Sequence, residues 1–358
     1  MASHPVAGYR RSRMRPLAGA VAGLLLACAP LGGQERHPIV QTDHPGRWTP
    51  LTVYLGGGRQ IGPTAAESRA MKANLDSLIS VVRRSPALAD PRGFETIGSE
   101  TVQQDDPPLV SSGWQPVRGM VHFIPLLWWR LCDSCVLQRS GEGVGTTIAV
   151  NDLRLLMGGV PTGGCGGPVV FPRPRQVALI GGYPLYNNGA LLIAAREVPV
   201  FVPVTRDDWI DAQINAGKNA QGCLRPDERQ RARWESIRGT ASPAERAMEA
   251  WERPAGREGP PGPFQWLLGQ PGARGSRPYV RFNPALFDST IARTAIQTMT
   301  LTVGFRSRDP RPLPRGTPRP LPCSAPISRS ADLEIDGLAI HEGIMCGLDW
   351  PALRALLR

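Results

Sequence analysis

Short apolar segments separated by loops rich in glycine and proline run through the middle of this chain. The chain has 40 glycines and 37 prolines among 358 residues, fewer than the roughly 25–30 per cent that marks disorder but enough for many turns. Alternating or continuous apolar runs predict strands, and they do not alternate regularly with helices. The predicted strands in this region are 94–98, 117–129, 146–156, 177–181, 190–195 and 198–204.

Helix signals occur before and after this strand-rich region. Thr64 and Glu67 form a capping box, and apolar residues recur on one face behind it, which predicts a helix over 64–84. A second capped helix begins at Thr205. Residues 225–253 are charged and helical in pattern, and 350–357 form a short terminal helix.

The remaining strand signals lie at both ends of the fold. They are 51–55, 278–282, 296–305 and 332–336. Strands with a few interspersed helices and no βαβ repeat indicate the α+β class, a mainly antiparallel sheet with a few packed helices and long Gly/Pro-rich loops. We therefore expect a single α+β domain over 49–358, with a charged helical excursion at 223–265, and helix 64–84 on one face of the sheet.

The first 27 residues have the composition of an export signal. Four arginines, between Arg10 and Arg15, precede an uncharged apolar run, Leu17 to Ala27. That run suits a signal peptide and is too short to cross a bilayer, which needs roughly 20 residues. The start codon is either Met1 or Met14.

Leu25-Leu-Ala-Cys28 resembles the lipobox of bacterial lipoproteins. The resemblance implies that 1–27 is removed and that Cys28 is lipidated and becomes the new N-terminus. Residues 28–48, which are polar, would be a tether to the membrane. Because Ala29 rather than aspartate follows the cysteine, the resemblance favours the outer membrane, facing the periplasm. The alternative is an ordinary signal and a soluble secreted or periplasmic protein.

Six cysteines remain after Cys28. An even number in an exported chain indicates up to three disulfides. Cys132 and Cys135 either pair locally or each staple a loop elsewhere, and Cys323 with Cys346 is a second expected pair. Such a bond stabilises the fold by roughly 3 kcal/mol, by restricting the unfolded chain. The six are Cys132, Cys135, Cys165, Cys223, Cys323 and Cys346.

The chain is basic, with a formal net charge of +11, and only Lys72 and Lys218 among its 41 basic residues are lysines. In a cell envelope such a surface favours lipid headgroups or anionic polymers, and an exported protein is not expected to meet nucleic acid. The proline-rich segment 306–322 cannot form a helix and presents arginines that can bind phosphate or carboxylate through two hydrogen bonds. These arginines are Arg306, Arg308, Arg311, Arg315 and Arg319.

Motifs for metals or cofactors are incomplete. Cys132-Asp-Ser-Cys135 has the spacing of a redox pair or half a zinc site, but a structural disulfide is simpler in an oxidising compartment. Asp332 to Gly337 matches only the first half of a calcium loop. We therefore predict no metal and no cofactor.

Histidines provide the remaining candidates for catalysis. His341-Glu342 begins like a zinc-protease helix, but Met345 stands where the second histidine is needed. His341 could still act as a general base. His122 lies between apolar Val121 and Phe123, so it alternates to the opposite face of its strand.

These observations favour a non-enzymatic envelope lipoprotein with a binding or structural role. It would be held at the membrane through Cys28 and would contact an envelope protein or an anionic polymer. The alternative is an envelope hydrolase that uses His341, Glu342 and Asp336, which a turn at Gly337 could bring together. A third hypothesis is a thiol oxidoreductase at Cys132 and Cys135.

Overall fold

A computed structural model gives the fold of the chain. The residues that it describes are 39–41, 43–55, 63–103, 114–140, 145–157, 169–215, 228–257, 259–260, 262–303, 319–320 and 343–358. Residues from His37 to Arg358 belong to one compact unit.

Fifteen strands are present in the described part of the chain. Twelve belong to one large sheet, and three form a second sheet. The strands are β1 (Ile39–Val40), β2 (Arg47–Trp48), β3 (Thr52–Leu55), β4 (Phe94–Gln103), β5 (Arg118–Arg130), β6 (Gln138–Arg139), β7 (Thr146–Val150), β8 (Phe171–Pro172), β9 (Gln176–Ile180), β10 (Tyr183–Tyr186), β11 (Ala190–Ala194), β12 (Phe201–Pro203), β13 (Tyr279–Phe282), β14 (Thr298–Val303) and β15 (Arg319–Pro320).

The large sheet has the order β15-β9-β10-β11-β14-β7-β5-β4-β2, with β3 also on β4 and with β1 and β6 on either side of the end of β5. Its inner pairs are antiparallel. Parallel pairs occur only at the two edges of the described sheet, where β2 and β3 join β4 and where β15 joins β9. The predicted α+β class with a mainly antiparallel sheet is confirmed.

The helices also begin close to where their caps predict. Thr64 is the N-cap of α1 and forms the complete capping box with Glu67. The predicted helix over 350–357 is present as the last helix. The helices whose bounds lie wholly within the described ranges are α1 (Ala65–Val82), α2 (Pro86–Ala89), α3 (Arg206–Asn215), α4 (Glu228–Thr240), α5 (Pro243–Ala247) and α6 (Trp350–Ala355).

Helix α1 packs on one face of the large sheet, as expected from its apolar stripe. Met71, Leu75 and Leu78 are completely buried in the main core. The sheet leaves space for them at Gly119, where an added Cβ would lie 3.0 Å from a Leu75 methyl carbon. An ion pair of 3.1 Å between Lys72 and Glu100 also links the helix to β4.

The opposite face of the sheet carries a second core that the sequence did not predict. In β11, Leu191 and Ile193 enter the main core while Ala190 and Leu192 enter the second one. The second core is closed by the small sheet β12-β13-β8, which contributes Phe171, Phe201 and Phe282. A third cluster packs the helical excursion around Trp209, Phe264 and Leu268, all buried.

The predicted tether, 28–48, is shorter than expected at its C-terminal end. Strand β1 pairs with β5, and β2 pairs with β4. Residues 39–40 and 47–48 therefore belong to the sheet. Their short strands lack enough periodicity to be recognised from sequence, because two residues give no alternation.

Asn151 ends β7 and joins three segments of the chain. Its φ is 55°, in the left-handed region that asparagine tolerates better than most residues. Its side-chain amide donates to the carbonyls of Val117 and Ala295, and its side-chain oxygen accepts from the backbone N–H groups of Gln297 and Thr298. The predicted strand 146–156 therefore stops at Val150, and Arg154–Leu156 form a 3₁₀ turn.

We expect Asn151→Gly to destabilise the protein by about 3 kcal/mol, because it leaves buried backbone groups without partners. Asn151→Ala should cost about 1 kcal/mol more, because alanine also resists the left-handed conformation. Denaturant unfolding of the two variants and the wild type measures both effects. A glycine variant as stable as the wild type would contradict the role given to the amide.

Candidate functional site

An open cleft of about 820 Å³ lies where the start of β9 and the end of β10 meet the small sheet. We call it the arginine cleft. Its lining comes from the β8–β9 loop, the β10 turn, β12 and the loop before β13. The lining residues are Arg173, Pro174, Arg175, Gln176, Tyr186, Asn187, Phe201, Gly275, Ser276, Arg277 and Pro278.

Backbone hydrogen bonds fix the positions of the first two arginines. The N–H of Arg173 donates to the carbonyl of Pro278 at 2.9 Å. The N–H of Arg175 donates to the side-chain oxygen of Asn187 at 2.8 Å, and its carbonyl accepts from the N–H of Asn187 at 2.8 Å. The loop is thus held on both sides while the two arginine residues stay exposed to solvent.

Aromatic rings provide the buried part of the cleft. Tyr186 and Phe201 are buried and pack edge to face, with ring centroids 5.6 Å apart. Burial raises the pKa of the Tyr186 phenol, and the positive charge of Arg173 opposes that rise. The phenol therefore stays protonated at neutral pH and can donate a hydrogen bond.

The arginines of the cleft differ in their charge partners. Arg277 is held by Glu252 in two hydrogen bonds, of 2.7 and 3.0 Å, so a carboxylate already neutralises it. Arg173 and Arg175 form no ion pair with any residue in the described ranges. Two guanidinium groups with no carboxylate partner among the described residues therefore lie at the mouth of a partly aromatic cleft.

This arrangement favours binding of an anion. A guanidinium group presents a planar set of donors that matches phosphate or carboxylate oxygens. The described lining contains no carboxylate, imidazole or thiol side chain. The donors of Arg173, Arg175 and Tyr186 can hold an anionic group, and the aromatic rings can contact an apolar part of the same molecule.

This cleft was not identified from the sequence. Its one sequence signal is Arg173-Pro-Arg175, which has the same Arg/Pro character as the segment 306–322. Of the five arginines predicted to form a binding patch, Arg306, Arg308, Arg311 and Arg315 lie outside the described residues. The backbone of Arg319 forms β15, opposite Ala178 of β9. The end of the predicted segment thus lies beside the strand that begins at the cleft.

The other predicted site residues are placed as follows. Cys132 and Cys135 are disulfide-bonded to each other. Of the two alternatives that the sequence left open, the structure therefore has the local pair. Cys346 is also in a disulfide, with a partner outside the described residues. The remaining candidates lie outside the described ranges as well, and their roles stay predictions. They are Cys28, Cys165, Cys223, Cys323, Asp336, His341 and Glu342.

His122 lies on the sheet face opposite Val121 and Phe123, as alternation requires. Its Nδ1 is 3.0 Å from the hydroxyl oxygen of Thr147 on the neighbouring strand. Burial lowers the pKa of the imidazole. A neutral histidine bonded to threonine serves the packing of the sheet, and it is not part of the arginine cleft.

No known family model, curated protein or solved structure matches this chain. Within the described residues no helix is long and apolar enough to cross a membrane, and no group of three or more metal-ligating side chains is present.

We expect Arg173→Ala to raise the pKa of Tyr186 further, because removing a positive charge destabilises the phenolate. Ultraviolet absorbance of the phenolate during an alkaline titration measures the pKa of Tyr186. The contribution of Tyr186 is the part of the absorbance change that Tyr186→Phe removes. Arg175→Ala is the matched control and should change the pKa of Tyr186 less than Arg173→Ala does. A lower or unchanged pKa in Arg173→Ala would show that the two side chains do not interact.

Proposed function

We propose that this protein is a cell-envelope lipoprotein that binds a molecule carrying phosphate or carboxylate groups in the arginine cleft. One observation carries the proposal: Arg173 and Arg175 lack ion-pair partners among the described residues at the mouth of a cleft with an aromatic floor. Unpaired guanidinium groups at such a position favour an external anion, because the attraction is stronger beside a low-dielectric surface than in open water.

The size and chemistry of the cleft limit the ligand. A volume of about 820 Å³ accommodates a molecule larger than a single inorganic ion. Two guanidinium groups, separated by one proline, suit two anionic groups or one group with several oxygens. Tyr186 and Phe201 offer apolar contact, so we expect the ligand to combine an anionic group with a sugar or hydrocarbon portion.

The position of strand β15 supports a larger cationic, anion-binding surface around the cleft. It runs parallel to β9, with Arg319 opposite Ala178, so the first residue of β15 lies near the end of β9 that lines the cleft. The predicted patch of Arg306, Arg308, Arg311, Arg315 and Arg319 would then extend the cleft rather than form a separate site. Anionic lipid headgroups, lipopolysaccharide and wall polymers have the repeated charges that such a surface would bind.

The location follows from the sequence resemblance. The lipobox at Leu25–Cys28 supports anchoring through lipid at Cys28, in the outer membrane facing the periplasm. The disulfide between Cys132 and Cys135 fits an oxidising compartment of that kind. A soluble periplasmic or secreted protein is the alternative location, and the hydrolase hypothesis around His341 stays a prediction.

Replacing Arg173 and Arg175 together with alanine should weaken anion binding at least about tenfold, because each bidentate contact to a charged oxygen contributes more than 1 kcal/mol. Calorimetric titration with inorganic pyrophosphate and with citrate measures the affinity. A stronger response to pyrophosphate would favour phosphate as the recognised group, and the reverse would favour carboxylate.

The control for this experiment removes the same charge elsewhere. Arg69 and Arg84 are exposed at the two ends of α1 and form no ion pair among the described residues. The double alanine variant at these positions should bind as the wild type does. If both double variants lose affinity equally, net charge rather than the cleft determines binding.

The intact mass of the protein from a bacterial envelope fraction tests the anchor. We expect a chain cut before Cys28 that carries a lipid-sized increment. Its Cys132 and Cys135 should resist alkylation until the protein is reduced, because both thiols are in a disulfide. An unlipidated chain that begins at another residue would rule out the lipoprotein and leave the anion-binding cleft to its own test.

A further inference from the structure

The end of the long strand β5 carries an exposed apolar tip. Beyond Arg130 the chain turns through Leu131 to Leu137 and returns in β6. The side chains of Leu131 and Val136 stand on either side of the disulfide and are 40 and 80 per cent exposed. Val136 is thus the most exposed of the large apolar residues in the described ranges. We call Leu131–Leu137 the disulfide tip.

The disulfide holds the backbone of the tip, and therefore its apolar side chains, in one arrangement. Cys132 and Cys135 close a turn in which the N–H of Cys135 donates to the carbonyl of Cys132 at 3.0 Å. The guanidinium group of Arg130 donates to the carbonyl of Asp133 at 3.0 Å. Because the turn is held before any contact forms, little conformational entropy is lost when its side chains are buried.

The N-terminal chain enters the fold at this same tip. Strand β1 is antiparallel to β5, with Ile39 opposite Arg130 and Val40 opposite Trp129. The first residue of β1, Ile39, therefore lies at the end of β5 that bears the tip.

The length of the chain up to Cys28 limits how far the tip can lie from a lipid anchor. Eleven peptide steps separate Cys28 from Ile39, which span at most about 40 Å when fully extended. The bilayer that holds the anchor is therefore the nearest apolar phase available to Leu131 and Val136.

We propose that the disulfide tip is a second membrane contact, in which Leu131 and Val136 enter the headgroup region of the bilayer that holds the lipid anchor. The inference depends on the proposed lipidation of Cys28. The anchor keeps the tip at a high effective concentration near the bilayer, so two side chains suffice where they would not hold a free protein.

The charges around the tip largely cancel, so we expect the membrane contact to depend on apolar burial rather than on electrostatic attraction. Arg130 and the exposed Asp133 are neighbours of opposite sign, and Arg139 forms an ion pair of 3.2 Å with Glu95. The tip therefore adds little net charge. Its burial should change little with salt, unlike binding at the arginine cleft.

Hydrogen exchange of the lipidated protein on vesicles of phosphatidylethanolamine and phosphatidylglycerol tests the contact. We expect the amides of residues 131–137 to exchange at least about threefold more slowly in the wild type than in Val136→Asp, because aspartate keeps the tip in water. The difference should persist at high salt. Val136 is mostly exposed, so the variant should unfold at the same temperature as the wild type.

The matched control is Val53→Asp, the same change at another exposed valine. Val53 lies opposite Glu100, and Glu100 lies opposite Val121, far along β5 from the tip. This variant should protect residues 131–137 as well as the wild type does. Equal exchange in wild type and Val136→Asp, with lipid present at Cys28, would overturn the membrane contact alone.

The mass of the same sample separates the two proposals. If Cys28 carries no lipid, the anchor fails, and the membrane contact that depends on it fails with it. If the lipid is present and only the exchange result is negative, the proposed function stands without the tip.

Discussion

Insertion of β14 between β11 and β7 is the constraint on which the rest of the fold depends. The strand pairs with both neighbours over residues 299–302, and without it the large sheet would divide into β9–β11 and β4–β7. Asn151 fixes this insertion by bonding the backbone at Gln297 and Thr298. Met299 and Leu301 then complete the core beneath α1. A segment far along the chain thus decides whether the two halves share one core.

Burial of both faces of the central strands explains how the arginine cleft arises. One face is covered by α1 and α6, and the other by the small sheet and its phenylalanines. Where the small sheet ends, Tyr186 and Phe201 are left at the edge of the second core, and the β8–β9 loop places two arginines above them. The cleft is therefore a consequence of how two sheets meet, and the disulfide tip, at the far end of β5, is independent of it.

Most of the individual elements could be predicted from the sequence. The capping box at Thr64 identified α1, and apolar runs identified β5, β11 and β14 to within about two residues at their ends. The run 94–98 identified only the first half of β4, Phe94–Gln103. One recognisable signal was missed: Gly181-Gly182 adopts positive φ at both positions and joins β9 to β10 in a tight hairpin. The runs 198–204 and 278–282 predicted the strands β12 and β13, but the small sheet itself was not predicted, because β8 has only two residues and the three strands pair across distant segments.

The sequence alone determined the elements, the class and the expectation of export, because these depend on local periodicity, capping chemistry and the composition of a short leader. The tertiary structure decided the order of the strands, the second core and the arginine cleft. These depend on pairing between residues separated by a hundred positions or more, such as Asn151 with Gln297, and no local pattern encodes such pairing. The Arg-Pro-Arg loop became a candidate site only when Tyr186, Phe201 and Arg277 were brought beside it.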